Sequence, residues 1–366
     1  MTPTLNKNDI LNGELEAYLK AVVQPIAHQI DTDSDALFES FRGLGRQGWL
    51  APKNPTDFGG LDLTGTEYQQ FQSIVARYSG ALAFLQTQHQ SAASLLLSSE
   101  NEALKQKYLP GMAVGDIRLG GGFSQLRRRP APLSAMAEPP QKGIAVEGRY
   151  SLTGVFPWVT GAGLFTDFVG AAVLPDGTAV FGIVPLVSEQ TGQLTVGLPM
   201  ALAGMAATST VEVRLEDWIL EEAQVVGMRP AGWLEGRDRA NPLSPLGLIF
   251  GCTQAGIDAL KVGLKRRGID HAIAQQLTLK LAWLQMDLPR VAALSGEAYP
   301  QKLALRGRAI SLMNTCAQAA MIAASGAANV ASHPTQRIYK ESLVFSVSGQ
   351  TTDGAIASLN TLLSST

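Results

Sequence analysis

Trp158 and Thr160, two positions apart, are residues whose types and spacing suit a bound flat heterocycle. They lie in the stretch VEGRYSLTGVFPWVTGAG, residues 146–163, where Gly148, Gly154, Gly161 and Gly163 punctuate short runs of Val, Tyr, Leu, Phe and Trp. That pattern predicts β-strands joined by tight turns. Strand side chains alternate, so Trp158 and Thr160 are expected on one face. There an indole plane would cover a ring while a hydroxyl hydrogen-bonds its edge. The same pair also reads as a core Trp beside a solvated Thr, and these residues alone leave both readings open.

Composition narrows the classes around them. With 366 residues the chain is long enough for two or three domains with buried cores. Charged residues are 16 %, below the ~25 % of average proteins, so much of the chain is expected in interiors or subunit contacts. A net charge of −2 gives no electrostatic case for nucleic acid or an anionic membrane. Cys252 and Cys316 are far apart in sequence, in apolar contexts, and read as reduced buried thiols; the four histidines show no metal-ligand spacing. MTPTLNKNDILNGELE has no basic-then-apolar run, so a cytoplasmic protein without a signal peptide is expected. The uncharged run 309–332 is broken by Ser311, Asn314, Thr315, Gln318, Ser325 and Asn329 and reads as a buried bundle helix, not a membrane span.

The elements that would position these residues come in three blocks. Residues 11–30, 36–45, 69–78, 81–97 and 100–109 read as helices. Asp33–Asp35 offers N-caps, Thr64 and Glu67 have capping-box spacing, and Pro110-Gly111 is expected to close the last helix. From about Ile117 to Val226 the period shortens to that of strands, including 179–185 and 209–220. A Gly-, Pro- and Arg-rich linker, 228–245, precedes helices at 246–267, 271–289, 303–330 and 335–347. The order is helices, strands, helices.

That order and five strings resemble the acyl-CoA dehydrogenase family. They are LGRQGWLAPKNPTDFGGLDL, KQKYLPGMAVGDIRLGGGFS, GRYSLTGVFPWVTGAG, MALAGMAATSTVEVRLEDWILEEAQVVG and HPTQRIYKESLVFSVSGQTTDG. The resemblance covers nearly the whole chain. It implies an α+β fold with an N-terminal helical domain (1–117), a central β-domain (118–228) and a C-terminal antiparallel helical bundle (229–366). It implies FAD between the β-domain and the bundle, with Trp158 and Thr160 beside the ring and Ser124, Gln125 and Leu126 at its pyrimidine edge. Leu126 stands where the family has Thr. Gly326 falls where a Gly-Gly pair receives the dinucleotide from a neighbouring subunit, and Gln350 and Thr351 follow in the phosphate-contacting turn. A homodimer or homotetramer is expected.

The departures concern chemistry. Removing the α-proton of an acyl thioester needs a positioned carboxylate, typically worth ~10² to 10⁴ in rate. The family places a Glu after its C-terminal helix, and alignment puts Gly349 there. Its alternative position, at the start of the first bundle helix, has no acid between Ala240 and Ile257. The remaining candidates are Asp353 as a displaced base, Asp258, and Glu341, which reads as a bundle salt-bridge partner. No catalytic residue is assigned. The loop covering acyl-CoA is replaced by LRRRPAPLSAM, where Arg127, Arg128 and Arg129 suit a phosphate or carboxylate clamp, or form a solvated loop stiffened by Pro130 and Pro132. The string that helps bind FAD across the dimer becomes KRRGIDHAI (Lys265, Arg266, Arg267), and Ala203 replaces an Arg. Three functions follow: an FAD-dependent oxidoreductase on an acyl thioester (acyl-CoA, or a related small molecule) delivering to an electron acceptor; a flavin-dependent monooxygenase served by a partner reductase; or a non-catalytic binding protein.

Overall fold

The computed structural model describes residues 7, 10–127, 133–137, 149–295 and 298–364. Gly148, Arg128, Arg129, Pro130 and Pro132 lie outside them.

Residues 10–32 form a succession of short π, α and 3-10 turns where one helix was expected; Gly13 is non-helical and Pro25 withholds an N–H. Helix α1 (Ser34–Arg46) starts where Asp33 accepts the N–H groups of Asp35 and Ala36 at 2.9 and 3.3 Å. Thr64 and Glu67 close the expected capping box on α2 (Gly65–Tyr78). Helix α3 (Gly80–Leu97) is followed by α4 (Glu102–Val114), which runs through Pro110 and stops at Gly115, in the left-handed conformation that ends helices.

The β-domain is a mostly antiparallel sheet: β1 (Leu119–Gly122), β2 (Leu133–Ala137), β3 (Tyr150–Val159), β4 (Asp167–Val173), β5 (Ala179–Pro185), β6 (Leu194–Val196), β7 (Val211–Leu220) and β8 (Val225–Arg229). The order is β6-β7-β3-β2-β4-β5-β8, with β1 parallel to β4. The stretch 228–245 is not merely a linker. It holds α5 (Trp233–Ala240), because the Trp233 ring packs edge-on against Phe181 at 5.3 Å and carries Arg237 on its face at 5.4 Å. Tertiary packing here overrides a composition that reads as coil.

The bundle comprises α6 (Leu246–Arg266), α7 (Ala272–Ala292), α8 (Tyr299–Ala324), α9 (Pro334–Val347) and α10 (Thr352–Ser364). The last was not expected from sequence. Among the described residues no helix is long and apolar enough to cross a membrane. Cys252 and Cys316 are free and buried. Helices α2 and α6 approach closely: a Cβ on Gly251 would lie 2.4 Å from the Ser73 carbonyl oxygen. Gly251→Val is therefore expected to cost about 1–3 kcal/mol in urea unfolding; a loss below about 0.5 kcal/mol, the scale of an ordinary surface change, would contradict this contact.

One apolar core joins the three blocks, from Ile10 through Phe156 and Leu215 to Phe345. Two buried carboxylates pin them. Asp31 accepts the Met205 N–H at 3.0 Å, and Glu341 accepts the Gly80 N–H at 2.8 Å while pairing with Arg337 at 2.7 Å. Glu341 is thus the ion-pair partner the sequence suggested.

Candidate functional site

The elements converge where the end of β1, helix α5, the start of α8 and the α9–α10 turn meet. After β1 a 3-10 turn, Ser124–Arg127, exposes Ser124, half-buries Leu126 and buries Gln125. The Gln125 amide donates to Ala171 O at 2.8 Å and Gly122 O at 3.3 Å, so its NH₂ is committed to the sheet. Arg127 grips Asp238 of α5 bidentately, Nε–Oδ2 2.7 Å and Nη2–Oδ1 2.9 Å. Of the three arginines singled out in sequence, this one is a clamp whose present partner is a protein carboxylate.

Trp158 is 49 % exposed on β3. Thr160 just beyond is buried, its hydroxyl 3.1 Å from that of Thr210. The strict alternation expected to place both on one face is interrupted, because β3 slips register against β7 between Phe156 and Val159. The indole therefore stands as an open aromatic face while the threonine hydroxyl is turned into the protein.

The α9–α10 turn is built from Gly349, Gln350 and Thr351. Gly349 has φ +60°, is exposed, and a Cβ there would meet nothing within 4 Å. Beneath it Arg306 of α8, 3 % exposed, donates through Nη2 to the carbonyls of Ser348 (3.3 Å) and Gly349 (3.1 Å) and through Nη1 to Pro242 O (3.5 Å). Its Nε is buried without a partner, as is Oε1 of Gln350. Burial lowers the Arg306 pKa, partly offset by Asp238 and Tyr299. Gln350 Nε2 donates to Ser346 O at 3.2 Å, and Thr351 Oγ1 accepts the Gly354 N–H at 3.1 Å, capping α10.

Beside the turn a groove of about 680 Å³ runs between α8 and α10, floored by Leu303, Ala304, Ile356 and Ala357. Asp353 and Tyr299 share its wall, with Arg239 stacked on the Tyr299 ring at 4.6 Å. Burial, and then the Asp353 carboxylate, raise the phenol pKa. Asp258 is occupied elsewhere, by Arg77 at 2.7 Å. Gly326 is exposed in the 3-10 turn after α8, about 30 Å along that helix from Arg306 at ~1.5 Å per residue, so one chain does not bring it to the turn. Lys265, Arg266 and Arg267 end α6, exposed, and Ala203 is also exposed.

Sequence reasoning missed Arg306, Tyr299, Asp238 and Arg239. A lone arginine within an otherwise apolar helix face was a usable signal for Arg306; the other three depend on α5 and α10, elements that went unread. Among the described residues no group of His, Cys, Asp or Glu is arranged to hold a metal.

A flavin fits part of this arrangement. Trp158 offers an open ring face, and the Gly349–Thr351 turn offers backbone approach and an orphaned buried oxygen. The side chains of Gln125 and Thr160 already have protein partners, leaving the exposed Ser124 and the backbone at Leu126 for a ring edge.

Residues 7–116 match the family described as acyl-CoA dehydrogenase, N-terminal domain. The mouse mitochondrial very long-chain specific acyl-CoA dehydrogenase is 27 % identical over 236 residues, covering 60 % of this chain and 35 % of that protein. The chain thus spans about a third of that relative's length. A glutaryl-coenzyme A dehydrogenase in complex with glutaryl-CoA superposes with a TM-score of 0.77 at 18 % identity, covering 100 % of this chain and 96 % of the other. KijD3, in complex with FMN and a dTDP-linked amino-keto-sugar, superposes with a TM-score of 0.74 at 20 % identity over 99 % and 94 %. Residues 7–116 thus match the acyl-CoA dehydrogenase N-terminal domain, and the chain as a whole shares the fold of the acyl-CoA dehydrogenases it superposes on.

Proposed function

We propose that this protein is a flavin-dependent oxidoreductase of the acyl-CoA dehydrogenase type, holding FAD against Trp158 and the Gly349–Thr351 turn and acting on an acyl thioester or a related small molecule. The observation that carries this reading is the half-exposed Trp158 indole on the β-domain of this fold. A buried flat ring placed there would gain offset stacking and lose little conformational entropy. When bound, the flavin supplies the hydride-accepting centre. Ser124, Leu126, Gln350 and Thr351 would hold it from this chain. Gly326, exposed and with open space at its α-carbon, would serve a neighbouring subunit's dinucleotide in a homodimer or homotetramer.

The turn carries no acidic side chain, and the Arg306 guanidinium sits under it. A fixed cation there favours negative charge developing nearby but cannot itself accept a proton. Asp353 is the carboxylate placed beside the turn, and its contact with Tyr299 makes the pair the proton-handling group of this reading. The same cation favours a second reading, a flavin monooxygenase on this fold supplied with reduced flavin by a partner, in which the missing base carries no consequence.

The test is anaerobic reduction of FAD-reconstituted protein by a straight-chain acyl-CoA. Gly349→Glu is expected to speed that reduction by ~10²-fold or more, with Gly349→Gln as the control for strain at φ +60°. Equal rates for the two variants would show that position 349 does not face substrate. A wild-type chain that gains no thermal stability from FAD would overturn the flavin reading itself.

A further inference from the structure

Cations gather where α5 lies against the β1 turn and the loop after α1. Lys53 sits half-buried with its ammonium 5.6 Å from the Tyr68 ring centroid, and Arg237 lies 5.7 Å from that of Phe123. Arg127 and buried Arg306 complete the set, and electrostatic coupling runs from Lys53 to Arg237, on to Arg127, and from Arg127 to Arg306. Among the described residues the carboxylate that an ion pair sets against these four cations is Asp238, already held by Arg127. Among the described residues Lys53, Arg237 and Arg306 have no carboxylate within 4.0 Å. Stacking on Phe123 and Trp233 accommodates the Arg237 plane but brings no negative charge. Next to Lys53, the fully buried Asn54 has an unpartnered Nδ2, and Arg306 an unpartnered Nε, so two buried donors also lack acceptors.

We infer that this cluster is a binding site for an oxyanion, a carboxylate or phosphate group carried by a small molecule, held by Lys53, Arg237 and Arg127 with Arg306 behind them. Guanidinium forks match such groups bidentately, and Arg127 already does so with Asp238. Like-charged neighbours repel one another, and an anion seated between them offsets that repulsion by attracting each of them. Burial lowers the pKa of Lys53, Arg237 and Arg306; Asp238 opposes the shift at both arginines, and no carboxylate opposes it at Lys53. The inference does not depend on flavin binding.

Titration calorimetry and thermal shift on the full chain, with and without FAD, test it using glutarate, inorganic phosphate and the uncharged glutaramide as probes. Glutarate, phosphate or both should bind saturably, more weakly as salt rises, and glutaramide should not bind. Binding of one anion and not the other identifies which oxyanion source the site takes. Arg237→Gln and Lys53→Gln should each weaken binding at least about tenfold, the effect of losing one charge-assisted contact, with the exposed Arg290→Gln on α7 unchanged. Lys53 lies on a loop, so its variant keeps the test decisive if Arg237→Gln does not fold. Absence of saturable binding, equal binding of glutaramide, or wild-type affinity in Lys53→Gln overturns the inference.

Discussion

Glu341→Gln is expected to lower unfolding free energy by about 3–5 kcal/mol, the cost of removing one partner from a buried ion pair. Glu341 is wholly buried and Arg337 is 7 % exposed. The guanidinium lies 2.7 and 2.8 Å from the two carboxylate oxygens, and Gly80 N–H donates at 2.8 Å. Glutamine preserves shape and an acceptor for Gly80, so the loss isolates the charge. Burial raises the Glu341 pKa against the opposing pull of Arg337, and Asp31 raises it further. Arg337 thus serves two buried carboxylates, since it also pulls the Asp31 pKa down. Reversible urea unfolding at neutral pH measures the effect; a change under about 1 kcal/mol, the scale of an exposed pair, would show that the pair is not an essential part of the junction.

The second large effect is acid lability from His89. This imidazole is fully buried between α3, α4 and β1, with Nε2 2.9 Å from Met112 O and Nδ1 3.0 Å from Leu119 O. Burial pushes its pKa down to about 4, against the help of those two carbonyls. The unfolded chain, with His near pKa ~6.5, binds the proton more readily, so stability contributed by neutral His89 is present above pH ~6.5 and is lost as pH falls toward 4. At one pKa unit per ~1.4 kcal/mol the loss approaches about 3 kcal/mol. Asp31 and Glu341, whose pKa values are raised, work in the opposite direction. Comparison with His89→Gln at pH 7.5 and 4.5 therefore separates the imidazole's share. If the variant loses as much stability on acidification as the wild type, the assignment fails.

Much of the fold was legible because its signals are local. The Asp33 cap, the Thr64–Glu67 box and the strands at 179–185 and 211–220 each follow from a few neighbouring residues. The breaks have physical reasons. Pro110 and Pro289 sit within helices that tertiary packing carries past them, and α5 exists because Trp233 docks on Phe181. Among the proposed site residues, type was readable but orientation was not. Nothing in the strand pattern reveals a register slip at Phe156–Val159, and nothing in SQLR says that Gln125 turns inward to Ala171. Arg306 reaches Gly349 across 43 residues of sequence, a distance no local pattern spans.

The junction of Asp31, Gly80, Met205, Arg337 and Glu341 also bears on how such a chain can be recombined. A chimera that takes its first hundred residues from another sequence, while keeping this C-terminal bundle, would set Arg337 and Glu341 against a foreign surface. Neither charge could reach water to compensate. The three blocks are therefore interchangeable only as a matched set, with positions 31, 80, 337 and 341 transplanted together.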